Sequence, residues 1–358
     1  MKVISIIGAG VLVLMLVGLV LGTACAGAKG ERGPDGVGIE TVVNNGDGTF
    51  ILEMTNGSSF TTPNLTGAQG AKGDKGDVGD RGPQGPYAWG TSYLAGIASS
   101  LCFDGTNIWV VDYVHDNVVK LRASDGANLG AFAVGNHPSA ICFDGTSIWV
   151  TNQQDDSVTK LRASDGTNLG TFAVGDVPWA ICFDGSSIWV ANFNSDNVIK
   201  LKASDGSNQG TFPVGHSPDG ICFDGGNIWV ANDLSNNVSK LRASDGVSLG
   251  TYPAGTNPSS LCFDGSNIWV VDRAKGTVTK LRASDGSNQG TFPVGQQPNS
   301  VCFDGTDVWV CGSSVVELRA SDGACLRVIP ALIRDLCFDG VNIWMADEDH
   351  GVVTKLPA

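Results

Sequence analysis

The sequence predicts an all-β fold, a seven-bladed β-propeller preceded by an N-terminal stalk. A Cys-Phe-Asp-Gly tetrapeptide recurs at intervals of 40 residues in five steps and 35 in the last, beginning at Cys102, Cys142, Cys182, Cys222, Cys262, Cys302 and Cys337. A fixed period of about 40 residues indicates stacked supersecondary units. Each unit carries four short runs of β-branched and aromatic residues, and four strands per unit are typical of a propeller blade.

One unit, residues 141–174, shows all four strand signals. The first two runs, 141–143 and 148–150, flank an Asp-Gly turn, and the other two, 158–162 and 170–174, flank Ala-Ser-Asp-Gly. Asp-Gly between such runs is a strong hairpin signal. The repeat shows no helical period, so we expect every unit to be a four-stranded sheet.

The last unit ends after its third strand signal, and the missing fourth strand lies before the first unit. Residues 90–94 precede residues 130–134 by 40 positions, in the register of a fourth strand. We therefore expect residues 90–94 to pair with 352–356 in one blade. This pairing closes the ring and removes its open edges.

The sixth unit is the irregular one. Three residues are missing between Val310 and Leu318 relative to the segment from Val150 to Leu161. We therefore expect the loop between the second and third strands to be shortest in this blade.

Glycine at every third position before the propeller predicts collagen-like structure. These glycines fall in two tracts, 27–38 and 67–86. Only glycine fits the crowded axis of a triple helix, so the chain is expected to form a homotrimer through this stalk. The second tract resembles bacterial collagen-like sequences. A solvated, semi-extended linker is the alternative.

Between the two tracts, residues 39–66 predict a small β-hairpin module. Strand signals at 39–43, 50–54 and 59–62 are separated by turns, one of them Asn-Gly. Three short strands bury little core by themselves, so association of three copies would stabilise this module. The propeller then occupies residues 87–358.

Residues 1–26 predict export. Residues 3–22 are almost entirely apolar, and Cys25 follows within Ala-Cys-Ala. Three alternatives remain open: a lipoprotein signal that leaves Cys25 lipidated, a secretory signal cleaved at Ala-Cys-Ala, and an uncleaved membrane anchor. All three place the rest of the chain outside the cytoplasmic membrane, either anchored at the cell surface or secreted.

The net charge excludes some classes of ligand, and the positions of the cysteines indicate a structural role for them. The formal net charge of −14 leaves no basic patch for phosphates, which argues against nucleic-acid binding and restricts membrane contact to the N-terminal anchor. Seven of the ten cysteines occupy one repeat position, and neighbouring sheets lie about 10 Å apart, too far for a disulfide. We expect these cysteines to act as small buried hydrophobic residues.

Residues that repeat in every blade are expected to be structural. The repeat tryptophans should pack between blades, and the aspartate of Phe-Asp-Gly should stabilise its turn. Variable residues on the loop face are better candidates for function. The predicted ligand site at the axial mouth of this face consists of His137, Trp179, His216, Asp219, Asn299 and Arg334.

The loops between the second and third strands bring further variable residues to the same face. They carry Tyr113, His115, Phe193, Asp233, Arg273, Lys275 and residues 348–350. An aromatic surface flanked by hydrogen-bond donors and acceptors suits a polar ligand or a peptide. The alternative is that these residues vary because nothing constrains them. No catalytic residues are predicted, since no Ser-His-Asp set, H-E-x-x-H motif or phosphate-binding glycine loop is present.

The repeat motif also resembles that of a known group. The pattern Gly-x-x-Pro-x-x-Ile-x-Phe-Asp-Gly-x-x-Ile-Trp-Val-x-Asn, seen at residues 175–192, resembles the YVTN/NHL-like seven-bladed propellers, a group that includes the virginiamycin B lyases. The resemblance covers residues 90–358 and implies binding or assembly outside the cell. The lyases use a His-rich, Glu-bearing face with a divalent metal, to which His137, His216 and Glu348 would correspond.

The function predicted from the sequence is binding or adhesion by a stalk-tethered surface propeller, with a surface glycan or a protein as ligand and no required cofactor. One alternative is a lyase- or lactonase-like enzyme with a divalent metal at the axial mouth. A second is a structural subunit of an extracellular matrix or sheath. The near uniformity of the blades favours a scaffold over a catalyst, because an active site requires local departures from the repeat.

Overall fold

A computed structural model describes residues 39–44, 50–54, 59–61, 91–94, 98–347 and 349–357. The predicted export segment and both collagen-like tracts lie outside the described residues. The chain divides into two compact units, Met1–Asp80 and Arg81–Ala358. Within the described residues, no helix has the length and apolar character needed to cross a membrane.

The first unit contains a three-stranded antiparallel sheet. Its strands are β1 (Ile39–Asn44), β2 (Phe50–Met54) and β3 (Ser59–Thr61), with β2 in the centre. These strands lie where the alternation of strand and turn signals in the sequence predicts them.

The second unit is built from seven four-stranded antiparallel sheets, which are the blades. Blades 1 to 4 consist of β5 (Ala98–Phe103), β6 (Asn107–Asp112), β7 (Asn117–Arg122), β8 (Asn128–Ala133); β9 (Pro138–Phe143), β10 (Ser147–Asn152), β11 (Ser157–Arg162), β12 (Asn168–Ala173); β13 (Pro178–Phe183), β14 (Ser187–Asn192), β15 (Asn197–Lys202), β16 (Asn208–Pro213); and β17 (Pro218–Phe223), β18 (Asn227–Asn232), β19 (Asn237–Arg242), β20 (Ser248–Pro253).

Blades 5 to 7 follow the same order. They consist of β21 (Pro258–Phe263), β22 (Asn267–Asp272), β23 (Thr277–Arg282), β24 (Asn288–Pro293); β25 (Ser300–Phe303), β26 (Asp307–Cys311), β27 (Val315–Arg319), β28 (Cys325–Ile329); and β29 (Asp335–Phe338), β30 (Asn342–Asp347), β31 (Val352–Pro357) with β4 (Thr91–Leu94). The first strand of each blade is innermost and contacts the first strands of its two neighbours. The predicted seven-bladed propeller is therefore confirmed.

The ring closes as the repeat predicts. Strand β4 pairs antiparallel with β31, with Leu94 opposite Val352 and Thr91 opposite Lys355. The irregular sixth blade is confirmed too, since three residues connect β26 to β27, whereas four residues make this connection in the other blades.

The repeat tryptophans fill the interfaces between blades. All seven are fully buried, and Trp149 packs among Ile181, Ile188 and other apolar residues of the next blade. The Trp149 indole donates a hydrogen bond of 2.8 Å to Asp144, whose other carboxylate oxygen caps the backbone of its own turn. The Phe-Asp-Gly aspartate thus has the predicted turn role and also orients the tryptophan.

Lysines connect each of six blades to the next. In blade 2, the Lys160 ammonium lies 5.0 Å from the Trp149 ring centroid and donates a 2.6 Å hydrogen bond to the carbonyl of Ala203 in blade 3. Lys355 makes the same contact from blade 7 to Ala123 in blade 1, which joins the two ends of the ring.

Blade 6 uses a different pair of charges. Glu317 occupies the lysine position, and Arg327 of the next strand lies 4.7 Å from the Trp309 ring and 2.8 Å from the Glu317 carboxylate. A cation therefore covers the tryptophan in this blade as well, although it comes from a different strand.

The cysteines behave as packing residues. The nine in the described part of the chain are free thiols, and the seven of the repeat are half-buried. Cys102, for example, packs against the apolar cluster between blades 1 and 2. Burial raises the pKa of Cys102 above its usual range, so this thiol stays protonated and unreactive at neutral pH.

Candidate functional site

A cavity of about 390 Å³ opens at one end of the propeller axis. It is lined by the residues that lie three positions before the repeat cysteine of each blade: Ser99, Ser139, Trp179, Asp219, Ser259, Asn299 and Arg334. We call these seven residues the mouth ring. Each is the second residue of an innermost strand or immediately precedes one. The fold therefore brings all seven to the axis, while the repeat leaves their identity free to vary.

Five of the six predicted site residues line this cavity, namely the four in the mouth ring and His137. His216 does not. Its side chain is 75% exposed, its Nδ1 atom lies 2.7 Å from Asp196, and its N–H donates to the Ser235 hydroxyl. His216 lies in the loop two residues before β17 begins, whereas His137 immediately precedes β9.

Other cavity residues come from the second-to-third loops and from the repeat itself. Tyr113 and Arg273, both among the variable loop residues, line the cavity. Ser259 was not predicted as a site residue. The 40-residue period could have identified Ser259, since it aligns with Trp179 and Asp219 in the neighbouring blades.

One side of the mouth is aromatic. Trp179 is half-buried and stacks at a tilt on Phe193, with ring centroids 5.5 Å apart. The rings of Tyr113 and His137 meet edge to face at 6.2 Å. The aromatic residues that face the cavity therefore have neighbouring rings that hold them in place.

The side of the mouth next to Trp179 is charged. The Asp219 side chain is 5% exposed, and its carboxylate lies 3.4 Å from the Arg273 guanidinium. Burial raises the pKa of Asp219 to about 6, although Arg273, Arg334 and a hydrogen bond from Trp179 all act in the lowering direction. The negative charge of Asp233 also raises the pKa of Asp219. A carboxyl group with such a pKa changes charge near neutral pH, which is a common property of functional sites.

Asp335, which also lines the cavity, has a structural role. Its Oδ2 atom accepts hydrogen bonds from the Ser100 hydroxyl and the Leu101 N–H, both at 2.9 Å. Its Oδ1 atom accepts from the Ser300 hydroxyl at 2.6 Å and the Leu336 N–H at 2.9 Å. These bonds join the innermost strands of blades 6, 7 and 1, and they leave this carboxylate little capacity to bind a ligand.

Val177, two residues before Trp179, adopts an unfavourable backbone conformation. Its φ is +54°, a left-handed value that is costly for a β-branched residue. Its N–H donates to the Asp156 carboxylate at 3.0 Å, which anchors the loop. Asn257 occupies the equivalent position two blades later with φ of +58° and the corresponding hydrogen bond.

We expect Val177→Asn to raise the free energy of unfolding by about 1 kcal/mol, because asparagine tolerates the left-handed region that valine does not. The reverse change, Asn257→Val, should lower it by more than this amount, because it also removes the 2.7 Å hydrogen bond that the Asn257 amide donates to Asp233. Urea denaturation of the two variants measures both effects. Equal changes of the same sign would show that side-chain packing, rather than backbone strain, governs this loop.

The sequence matches no protein-family model and no curated protein. The propeller is similar in fold to virginiamycin B lyase. The lyase of Staphylococcus aureus superposes with a TM-score of 0.63 at 16% identity, over 73% of this chain and 94% of that one.

Two further solved structures give similar values. A streptogramin B lyase has a TM-score of 0.63 at 17% identity, over 73% of this chain and 93% of its own. Hydrazine synthase of Kuenenia stuttgartiensis has a TM-score of 0.64 at 17% identity, over 74% and 96%. At such identities the likeness shows a shared fold, and it confirms the propeller part of the resemblance found in the sequence.

The divalent metal that the lyase resemblance implies does not fit the described residues. Among them, no three His, Cys, Asp or Glu side chains lie together as a metal site requires. Asp335 is already hydrogen-bonded on both oxygens, and His216 lies outside the cavity lining. Glu348 lies outside the described residues. We therefore derive no catalytic step through a metal.

Proposed function

We propose that the propeller is a binding module that takes a saccharide unit of a surface glycan at the mouth ring. The proposal rests on one observation: positions that vary from blade to blade line the same cavity. The repeat is nearly uniform, yet seven equivalent positions that hold Ser, Trp, Asp, Asn and Arg converge on one cavity.

The size and chemistry of the cavity support a saccharide. Its volume of about 390 Å³ lies in the range of about 300–1,000 Å³ that is usual for small-molecule sites. A half-buried indole offers a flat apolar surface for one face of a sugar ring. Asn299 and Arg334 offer hydrogen bonds for its hydroxyl groups. A segment of a surface protein is the alternative ligand, since it could make the same apolar and hydrogen-bond contacts.

We propose further that this head is displayed outside the cell as a trimer. The proposal is supported by the apolar N-terminal segment and by the glycine period of the two collagen-like tracts. Three heads on one stalk would bind a repeated surface glycan with higher avidity than a single head, even if each mouth binds weakly.

Replacing Trp179 tests the proposed site directly. We expect Trp179→Ala to weaken binding of the full-length chain to glycans by about 1–3 kcal/mol, because the ring is the main apolar contact at the mouth. Thermal stability should hardly change, since the ring is only half-buried. Binding to an array of cell-surface glycans, together with thermal unfolding, measures both quantities.

The matched control is Leu234→Ala. Leu234 is 64% exposed and lies outside the cavity lining. This variant should bind as the wild type does. If Trp179→Ala instead lowers the melting temperature markedly and leaves binding intact, Trp179 is a packing residue and the proposal is wrong. Opening of a cyclic ester that is abolished by chelator and by His216→Ala would favour the enzyme alternative.

A further inference from the structure

The charged side chains at the mouth differ in how far they reach solvent. The Asp219 side chain is only 5% exposed, whereas that of Arg273 is 38% exposed and Arg334 is exposed. A ligand entering this side of the cavity therefore meets guanidinium groups first. This is notable in a chain with a net charge of −14, in which most exposed charge is negative.

The acceptor groups near these arginines are buried or already engaged. Asp335 receives four hydrogen bonds from neighbouring strands. Asp219 receives one from the Trp179 indole and forms an ion pair with Arg273. The mouth thus offers exposed donors and cations rather than exposed carboxylates. Such a surface complements a ligand that carries a carboxylate.

The geometry points to an acidic saccharide, such as a uronic acid, as the ligand of the mouth, with its carboxylate held by Arg273 and Arg334 beside the Trp179 ring. This inference rests on the proposed function and specifies its ligand. A guanidinium can bind a carboxylate through two parallel hydrogen bonds, which fixes the orientation of the sugar as well as its charge.

Asp219 makes this binding sensitive to protons. The ionised carboxylate is the counterion of Arg273 at 3.4 Å, so a ligand carboxylate has to compete with it and is repelled by it. The groups that face Asp219 are Arg273 and Arg334, which stabilise its charge, and Asp233, which opposes it. Protonation of Asp219 removes both the competition and the repulsion.

The direction of the pH dependence follows from this competition. An anion that binds beside Asp219 favours its protonated form, so complex formation takes up a proton. Affinity should therefore increase as the pH falls from 8 through the Asp219 pKa of about 6, and should level off below it. A uronic acid remains ionised over this range, because its own carboxyl titrates at lower pH.

The experiment is calorimetric titration of the full-length chain with trigalacturonic acid, and with galactotriose as the neutral counterpart. We expect trigalacturonic acid to bind about tenfold more tightly at pH 5 than at pH 8 and galactotriose to bind more weakly at every pH. Titrations at pH 7 in two buffers of different ionisation enthalpy should show proton uptake. These wild-type measurements stand even if a variant fails to fold.

Two variants test which residues cause the pH dependence and the binding. Asp219→Asn should bind trigalacturonic acid at pH 8 as tightly as the wild type does at pH 5, with no pH dependence. Arg334→Gln should lose most of the binding at both pH values. Asp233→Asn is the control, because it removes a charge that faces Asp219 without replacing the titrating group. It should keep the pH dependence, displaced to lower pH.

The outcomes separate this inference from the proposed function. One contrary result is that both trisaccharides bind equally, bind more weakly at pH 5 and do not bind to Asp219→Asn. Ionised Asp219 would then accept hydrogen bonds from neutral sugars, and the proposal of an acidic ligand would be wrong. No binding of either trisaccharide, with Trp179 still required for another surface ligand, would also overturn it while the proposed function stands. If no ligand depends on Trp179, the proposed function itself fails.

Discussion

Trp149→Ala is expected to lower the free energy of unfolding by about 3–5 kcal/mol, because it empties a large, fully buried space between two blades. The indole packs on Phe172, with ring centroids 5.5 Å apart, and the Lys160 ammonium covers its face at 5.0 Å. Its loss also leaves Asp144 without the hydrogen bond that the indole donates. Three contacts are therefore removed together with the buried area.

Urea denaturation measures this effect, and Trp179→Ala is its internal control. Both changes remove an indole, but Trp179 is half-buried at the cavity and Trp149 is inaccessible. The control should lose clearly less stability. Equal losses in the two variants would show that burial between blades does not set the difference, and would contradict the packing described here.

Deleting residues 91–94 is expected to cost at least about 3 kcal/mol and to promote association through the exposed edge of blade 7. Strand β4 carries Tyr93, whose ring lies 5.6 Å from that of Trp344. The same ring covers Gly126 in the outer turn of blade 1, where a side chain would collide with it. The strand therefore links the last blade to the first, as well as completing the sheet.

A circular permutant provides the rescue. Residues 87–94 moved to follow residue 358 through a short turn would let β4 pair with β31 as an ordinary hairpin, in the observed register. In a head without residues 1–86, this variant should recover most of the lost stability and remain monodisperse. A permutant as unstable as the deletion, with intact folding elsewhere, would show that the strand acts through its chain connection rather than through its pairing.

Much of this architecture could be predicted from the sequence because it follows from local signals repeated at one period. The Asp-Gly turns define four strands per unit, and the offset of residues 90–94 defines the closing partner of β31. Repetition also separates the structural tryptophans, which recur in every blade, from Trp179, which occurs in one. The period similarly aligns the mouth-ring positions, which converge on the axis because they lie at the starts of the innermost strands.

The tertiary structure alone decided how deep each of these residues lies and what it contacts. Asp219 and His216 are three residues apart, yet Asp219 is buried beside Arg273 at the mouth and His216 is exposed on a loop. Likewise, Arg327 takes over the role of a lysine on a different strand of blade 6. The sequence by itself determined the repeat, the ring and its closure, because these depend on local turns and strand periodicity. Burial, ion pairing and the raised pKa of Asp219 depend on side chains from separate blades that meet only after the ring has closed.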